Sequence, residues 1–229
     1  MYLIKRLINI DVMKAANNKN PVKERSRGRP ANIKSGELQQ RLLDTAESLF
    51  AEQGYAATSI REMAEHANVN PALVHYYFGT KKDLLIAVMD RALLPLAKAI
   101  SDMKSAESVN VEDLAGLLFN MLGKHPSMPK LLTREVMLSS GETREIFAKK
   151  YAPRLGGALP GLLAKEQKLG HVNSDFDAGT IALMLMSLCI FPFVARSIAE
   201  PQLGISYAPD GLEQYLDQIK KLLSNGINP

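Results

Sequence analysis

Apolar residues recur along this chain at helical spacing from Leu38 almost to its end, and nowhere alternate for any length as a strand would. Leu42, Leu43, Ala46, Leu49 and Phe50 make one stripe of a helix predicted over 38–53, which Gly54 ends. Ser59 with Glu62 three residues on reads as a capping box, opening a short helix with Ile60, Met63 and Ala64 on one face. Asn68-Val69-Asn70-Pro71 then breaks the pattern, because Asn tolerates the left-handed backbone of a sharp turn and Pro suits the first turn of a helix. Leu73, Val74, Tyr77 and Phe78 give the next short helix its apolar contacts; Gly79 stops it and Thr80-x-x-Asp83 caps another. Two helices of about eight residues joined by a tight turn are the design of a helix-turn-helix.

Beyond Lys81 the helical pattern continues. A long helix runs through 81–104, where Pro95 is expected to bend or interrupt it. Further helices are predicted over 111–125, 130–140, 144–170 with breaks near Pro153 and Pro160, 175–200 and 210–225. Ile181–Ala195 is the most apolar part; with Ser187 and Pro192 inside, it is too short and too broken for a membrane span. A helix apolar on all sides is expected to be buried on all sides.

Composition adds a direction to this all-α picture. The chain has 229 residues, 46% of them hydrophobic, and carries a net charge of +4 that is unevenly spread. Residues 1–37 hold nine Lys or Arg against three acidic residues, leaving the remainder at −2. A basic arm on a near-neutral body points to an acidic polymer as partner. The arm's polar composition cannot bury apolar surface, so it is expected to be flexible. Within it, Arg27-Gly28-Arg29-Pro30 has two readings, a solvated linker or a pair of guanidinium groups for a narrow minor groove. Residues 1–14 read either as an amphipathic surface helix or as sequence upstream of a start at Met13; the charges at Lys5, Arg6 and Asp11 argue against a signal peptide. The single cysteine, Cys189, excludes an internal disulfide and reads as a buried inert thiol, which favours a cytoplasmic address.

The stretch LLDTAESLFAEQGYAATSIREMAEHANVNPALVHYYFGTKKDLL resembles the DNA-binding domain of the TetR family of transcriptional regulators, AcrR-like, over about residues 38–90. The resemblance rests on the helix ending Phe-x-x-x-Gly-Tyr, the Thr-Ser helix start, the Met-Ala pair and Tyr-Tyr-Phe-x-x-Lys-x-x-Leu. The chain departs from the family at Asn68, where Gly is usual, and at His75, where Tyr is usual. The resemblance implies a recognition helix over 70–77 lying in the major groove, with Asn70, Pro71, Ala72 and His75 outward. Asn70 suits base edges, and Pro71 and Ala72 suit only apolar contact, such as a thymine methyl. Arg61 is either a guanine contact or a solvated surface residue. Phosphate contacts are expected from Thr58 or Ser59, from Tyr76 or Tyr77, and from Lys81, beside the free N–H groups of a helix start. Tyr77 has an alternative reading as core, and Phe78 reads as core.

The implied organisation is a basic arm (1–37), a three-helix DNA-binding domain (38–84) and a helical effector-binding and dimerisation domain (85–229). A homodimer is implied through 178–198 and 210–224, matching double-stranded DNA with a palindromic operator. A small-molecule effector is implied too. Phe119, Met121, Met137, Phe147, Tyr151 and Met184, with Met128 and Phe191, are apolar candidates for its pocket, and His125 and Arg134, with Glu135 and Arg154, are polar ones; core packing or ion pairing is the alternative for each. His66, His75, His125 and His171 have no Cys or carboxylate partner at ligand spacing, and no phosphate loop or nucleophile elbow is present, so no metal, cofactor or catalytic residue is expected. The expected function is a ligand-responsive repressor, against a helical small-molecule-binding protein or an activator using the same fold.

Overall fold

The structure, a computed structural model, describes residues 35–226; the arm with Arg27 and Arg29, and residues 1–13, lie outside the described residues. Helix α1 (Ser35–Gln53) buries Leu42, Leu43, Ala46, Leu49 and Phe50, the stripe its spacing predicts. Gly54 ends it at φ +93°. Helix α2 (Ile60–His66) opens on a complete capping box: Glu62 N–H donates to Ser59 Oγ at 3.1 Å, and Ser59 N–H donates to the Glu62 carboxylate. Asn68 follows at φ 52°, the left-handed conformation the turn needs and the only non-glycine residue in it among the described residues. Helix α3 (Pro71–Phe78) starts on Pro71 and ends at Gly79, φ 75°.

A second capping box, Thr80 with Asp83, opens helix α4 (Lys81–Lys104). The Thr80 hydroxyl and amide both donate to Asp83 and hold its carboxyl below the ordinary 3.8. A carboxyl lowered by folding contributes stability that is present above its ordinary value and lost as pH falls through the lowered one. Thr80→Ala is therefore expected to lower the melting temperature by about 2–4 °C at pH 7. Calorimetry should find this gap narrowing below about pH 4.

Pro95 sits on the exposed side of α4 and does not interrupt it. The missing N–H faces solvent, where water can satisfy the carbonyl it leaves. Helix α5 (Val111–Lys124), capped by Asn110, packs along α4 and buries Leu114, Ala115, Leu118, Phe119 and Leu122. A short helix α6 (Met128–Leu132) runs into a π-helical turn, Thr133–Met137. Helix α7 (Glu142–Lys150), two 3₁₀ turns (Ala152–Arg154, Gly156–Ala158) and α8 (Leu159–Lys168) follow. Helix α9 (Ala178–Val194) packs on α5 and α8, α10 is Arg196–Leu203, and α11 (Pro209–Gly226) lies along α5. The buried side chains form one continuous cluster from Leu42 to Leu223, so the core under the DNA-binding head runs on into the body.

Two expectations change. The apolar helix does not run unbroken to 198; the chain turns by 81° between α9 and α10. Pro192 removes a helical N–H in the last turn of α9, and its carbonyl is taken by the Tyr207 hydroxyl. Nor is α9 buried on all sides. Ile181, Leu185, Cys189 and Phe193 are in the core, while Leu183 (62% exposed), Met184 (56%) and Phe191 (66%) face outward. No single helix among the described residues is long and apolar enough to cross a membrane. Burial pushes the Cys189 thiol up to about 12, so it stays protonated in the core.

Candidate nucleic-acid interface

The turn between α2 and α3 leaves one side of the helix pair open. Ala67, Val74, Met63 and Ala64 are buried beneath it; Asn70, Pro71, Ala72, His75 and Tyr76 are exposed on the outside. Tyr76 is 80% exposed, the most exposed aromatic in this head. Tyr77 is half-buried, edge-on to Tyr76 at 5.2 Å between ring centroids, and Phe78 is half-buried rather than fully core.

Several predicted contact residues are engaged inside the protein. Thr58 is 1% exposed, and its hydroxyl donates to Gly54 O at 2.8 Å. That removes it from any phosphate and leaves Ser59, exposed at the start of α2, as the hydroxyl on this edge. Asn70 caps α3 by accepting Ala72 N–H on Oδ1 at 2.9 Å, so bidentate reading of a base would cost the cap. Its carboxamide N–H₂ is the half available to DNA. Arg61 is 82% exposed and paired with Glu65 on the next turn at 3.0 Å; such a surface pair is weak and can be exchanged for another partner. His75 Nδ1 lies 2.8 Å from Gly79 O. A carbonyl can only accept, so Nδ1 carries the proton of this contact, and whenever the ring is uncharged Nε2 is left as an acceptor. That suits a cytosine or adenine amino group in the major groove, a preference that the tyrosine usual at this position would not share.

Lys81 departs furthest from expectation. Its ammonium donates to Tyr55 O at 2.8 Å and Thr58 O at 3.0 Å, lies 3.4 Å from Ala56 O, and sits 4.5 Å from the centroid of the Tyr55 ring. It closes the loop from α1 to α2 against α4, with its three donors directed at carbonyls. The helix start it belongs to leaves its first backbone N–H groups without intrahelical acceptors, and that of Asp83 is taken by the Thr80 hydroxyl at 3.1 Å.

The candidates for a ligand pocket do not converge. Phe119 is stacked on Tyr215 at 5.7 Å and packed on Phe193; Met121 is half-buried. Tyr151 is fully buried and donates to Asp90 at 2.7 Å, with Phe147 against its ring. Met137 and Met184 are exposed, on different helical segments. Two histidines do have carboxylate partners, brought together by the fold: His125 with Glu47 at 3.0 Å, and His171 with the fully buried Glu166 at 2.9 Å. The Glu47 carboxylate also receives Arg91 at 2.7 Å, which ties α1, α4 and the end of α5 together. No group of three or more His, Cys, Asp or Glu is placed to hold a metal among the described residues. Open space lies elsewhere, in a groove of about 360 Å³ between the second half of α4 and the 3₁₀ turns. Leu94, Ala97 and Ile100 floor it, and Lys98, Lys104 and Arg154 rim it.

Sequence reasoning missed the contacts where head meets body. Arg134 Nη1 donates to Glu52 O at 2.9 Å, the Glu135 carboxylate accepts Tyr55 N–H at 3.0 Å, and Lys82 pairs with Glu142 at 2.5 Å. Partners 60 to 82 residues apart carry no local signal.

An exposed second helix on a capped, tightly turned pair, carried on a helical body, defines a helix-turn-helix DNA-binding protein. The family model for bacterial regulatory proteins of the tetR family matches residues 42–88. A probable HTH-type transcriptional regulator of Bacillus subtilis, YttP, is 30% identical over 191 residues, covering 79% of this chain and 89% of that one. The HTH-type transcriptional repressor SCO4008 of Streptomyces coelicolor is 25% identical over 193 residues, 79% and 90% of the two chains. Among solved structures, a putative transcriptional regulator of Saccharomonospora viridis in complex with choline shares the fold at a TM-score of 0.60 and 20% identity, over 84% of this chain and 98% of that one. The chain belongs to the TetR family and is a DNA-binding transcriptional regulator.

Proposed function

We propose that the protein is a cytoplasmic repressor, a homodimer that holds a twofold-symmetric operator and is released from it by a small molecule. The observation that carries the dimer is the outward apolar face of α9, on a helix whose other face is core. An isologous pairing there sets two α3 helices at a fixed separation, which a palindrome with half-sites about one helical turn apart would match. Repression is supported by the Streptomyces relative, which is named as a repressor, and a ligand by the choline complex of the Saccharomonospora one. The groove beside α4 suits a small amphiphile bearing a negative charge, since its floor is apolar and its rim cationic. Catalysis has no part in this reading.

At the DNA, Ser59, Tyr76 and the N–H groups at the start of α4 would meet phosphates; Asn70, Pro71, Ala72 and His75 would meet bases, and Arg61 either one. The test is selection of duplexes from a random pool, then anisotropy titration of the selected duplex. An inverted repeat is expected, and recovery of unrelated sequences would sink the reading. Tyr76→Phe should weaken binding about tenfold on selected and unselected duplexes alike, the loss of one hydrogen bond to a charged oxygen. A loss confined to the selected duplex would move Tyr76 from phosphate to base.

A further inference from the structure

The loop from α1 to α2 is held from two sides. On one side α4 holds it, through Lys81 on the carbonyls of Tyr55 and Thr58. On the other the body reaches it through the π-helical turn. Arg134 caps the carbonyl of Glu52, one of the last in α1, and Glu135 takes the amide of Tyr55. Glu135 is mostly buried, 14% exposed, so this hydrogen bond is sheltered from water. Gly54 lies between the two contacts at φ +93°, and a Cβ there would come within 2.7 Å of Arg134 Nε and 3.0 Å of the Glu135 carboxylate. A side chain at this position would therefore displace the Arg134 guanidinium. Lys82 with Glu142 adds an ion pair next to them.

The turn that presents these two side chains is itself irregular. Leu138 N–H reaches back five residues to Thr133 O at 3.0 Å, so the segment carries an extra residue relative to an α-helix. That offset is costly in an isolated helix and marks functional sites often. Here it sets consecutive residues, Arg134 and Glu135, on the two polar groups that flank Gly54. Five residues beyond Tyr55 the chain enters α2, so the orientation of the helix-turn-helix follows from how this loop is gripped.

We propose that Arg134 and Glu135 are positioning residues for DNA binding: a second strut between body and head, acting beside α4 and touching no DNA. The operator affinity of the protein depends on this grip, and a movement of the π-helical turn is passed to α2 and α3 through Glu52 and Tyr55. Freed from the strut, the head samples orientations in which the two recognition helices no longer fit their half-sites together.

Three variants of the full chain test this: Glu135→Ala, its conservative counterpart Glu135→Gln, which keeps an acceptor for the amide, and Arg134→Ala. Hydrogen exchange reads the Tyr55 amide in the DNA-free protein, and anisotropy reads affinity for the duplex selected by the parent chain, across salt. Glu135→Ala should speed exchange at Tyr55 at least tenfold and weaken binding about tenfold, with Glu135→Gln close to the parent in both. Arg134→Ala should weaken binding with the slope of log affinity against log salt unchanged, because no phosphate contact is lost. A slope reduced by about one would make Arg134 a direct phosphate contact and overturn the proposal. So would faster exchange at Tyr55 with unaltered affinity, which would leave the pair a local packing contact only.

Discussion

Phe191→Glu is expected to turn the proposed dimer into a monomer at micromolar concentration and to weaken operator binding by more than about a hundredfold. At 100° per residue, Leu183, Met184, Ser187, Phe191 and Val194 fall within an arc of about 100° on α9, and all five are exposed. Ile198 and Leu203 carry exposed apolar surface past the bend, and Leu222 adds some from α11. Burying one Leu or Phe side chain stabilises by about 1.5–3 kcal/mol, and in a twofold interface each residue counts twice. A carboxylate at 191 removes two such terms and places two unpaired charges in an apolar seam. Neither effect touches the intrachain core, because Ile181, Leu185, Cys189 and Phe193 point the other way. Sedimentation velocity should show half the mass with an unchanged helical spectrum. Leu169→Glu is the control: it lies at the end of α8, is 48% exposed, and should stay dimeric. A dimeric Phe191→Glu protein would place the pairing surface elsewhere.

Arg91→Met should cost about 3–5 kcal/mol, on the order of 10 °C in melting temperature. Arg91 bridges Asp44 at 2.6 Å and Glu47 at 2.7 Å, and the Glu47 side chain is only 6% exposed. Taking the guanidinium away leaves a carboxylate in the core with His125 as its remaining partner. The loss is a desolvation cost rather than the worth of a contact, so it should largely vanish when the carboxylate goes too. Glu47→Leu with Arg91→Met is therefore expected to return within about 1 kcal/mol of the parent. Denaturant unfolding of the four proteins gives the cycle; a double variant as unstable as the sum of the singles would refute the argument.

What could be read from the sequence was local. Caps, turn residues and stripes act over three or four positions, so Ser59 with Glu62, Asn68 in the left-handed turn, and Thr80 with Asp83 stood in the sequence as they stand in the fold. The all-α architecture followed from the same spacing. The side chains that looked free for DNA were harder. Thr58 and Lys81 have the right chemistry for phosphate, but the loop from Gly54 to Thr58 has bare carbonyls of its own, and it takes them first. The pocket candidates failed for a different reason. Methionine and phenylalanine fill a core and line a cavity equally well, and only the fold separates the packed Phe119 from the outward Met184. Pairs such as Glu47 with His125, 78 positions apart, have no spacing to read.

The Arg134–Glu135 grip also bears on how such regulators can be recombined. A designer who cuts at residue 84 and grafts the head onto another body transfers Glu52 and Tyr55 without the side chains that satisfy them. The foreign body would have to supply a guanidinium and a carboxylate at the same offset, or the graft would carry an orphaned amide and a loosened reading head. The unit that can be exchanged between regulators is therefore discontinuous, residues 38–84 together with 133–142, and chimeras that respect this boundary should keep the specificity of the donor.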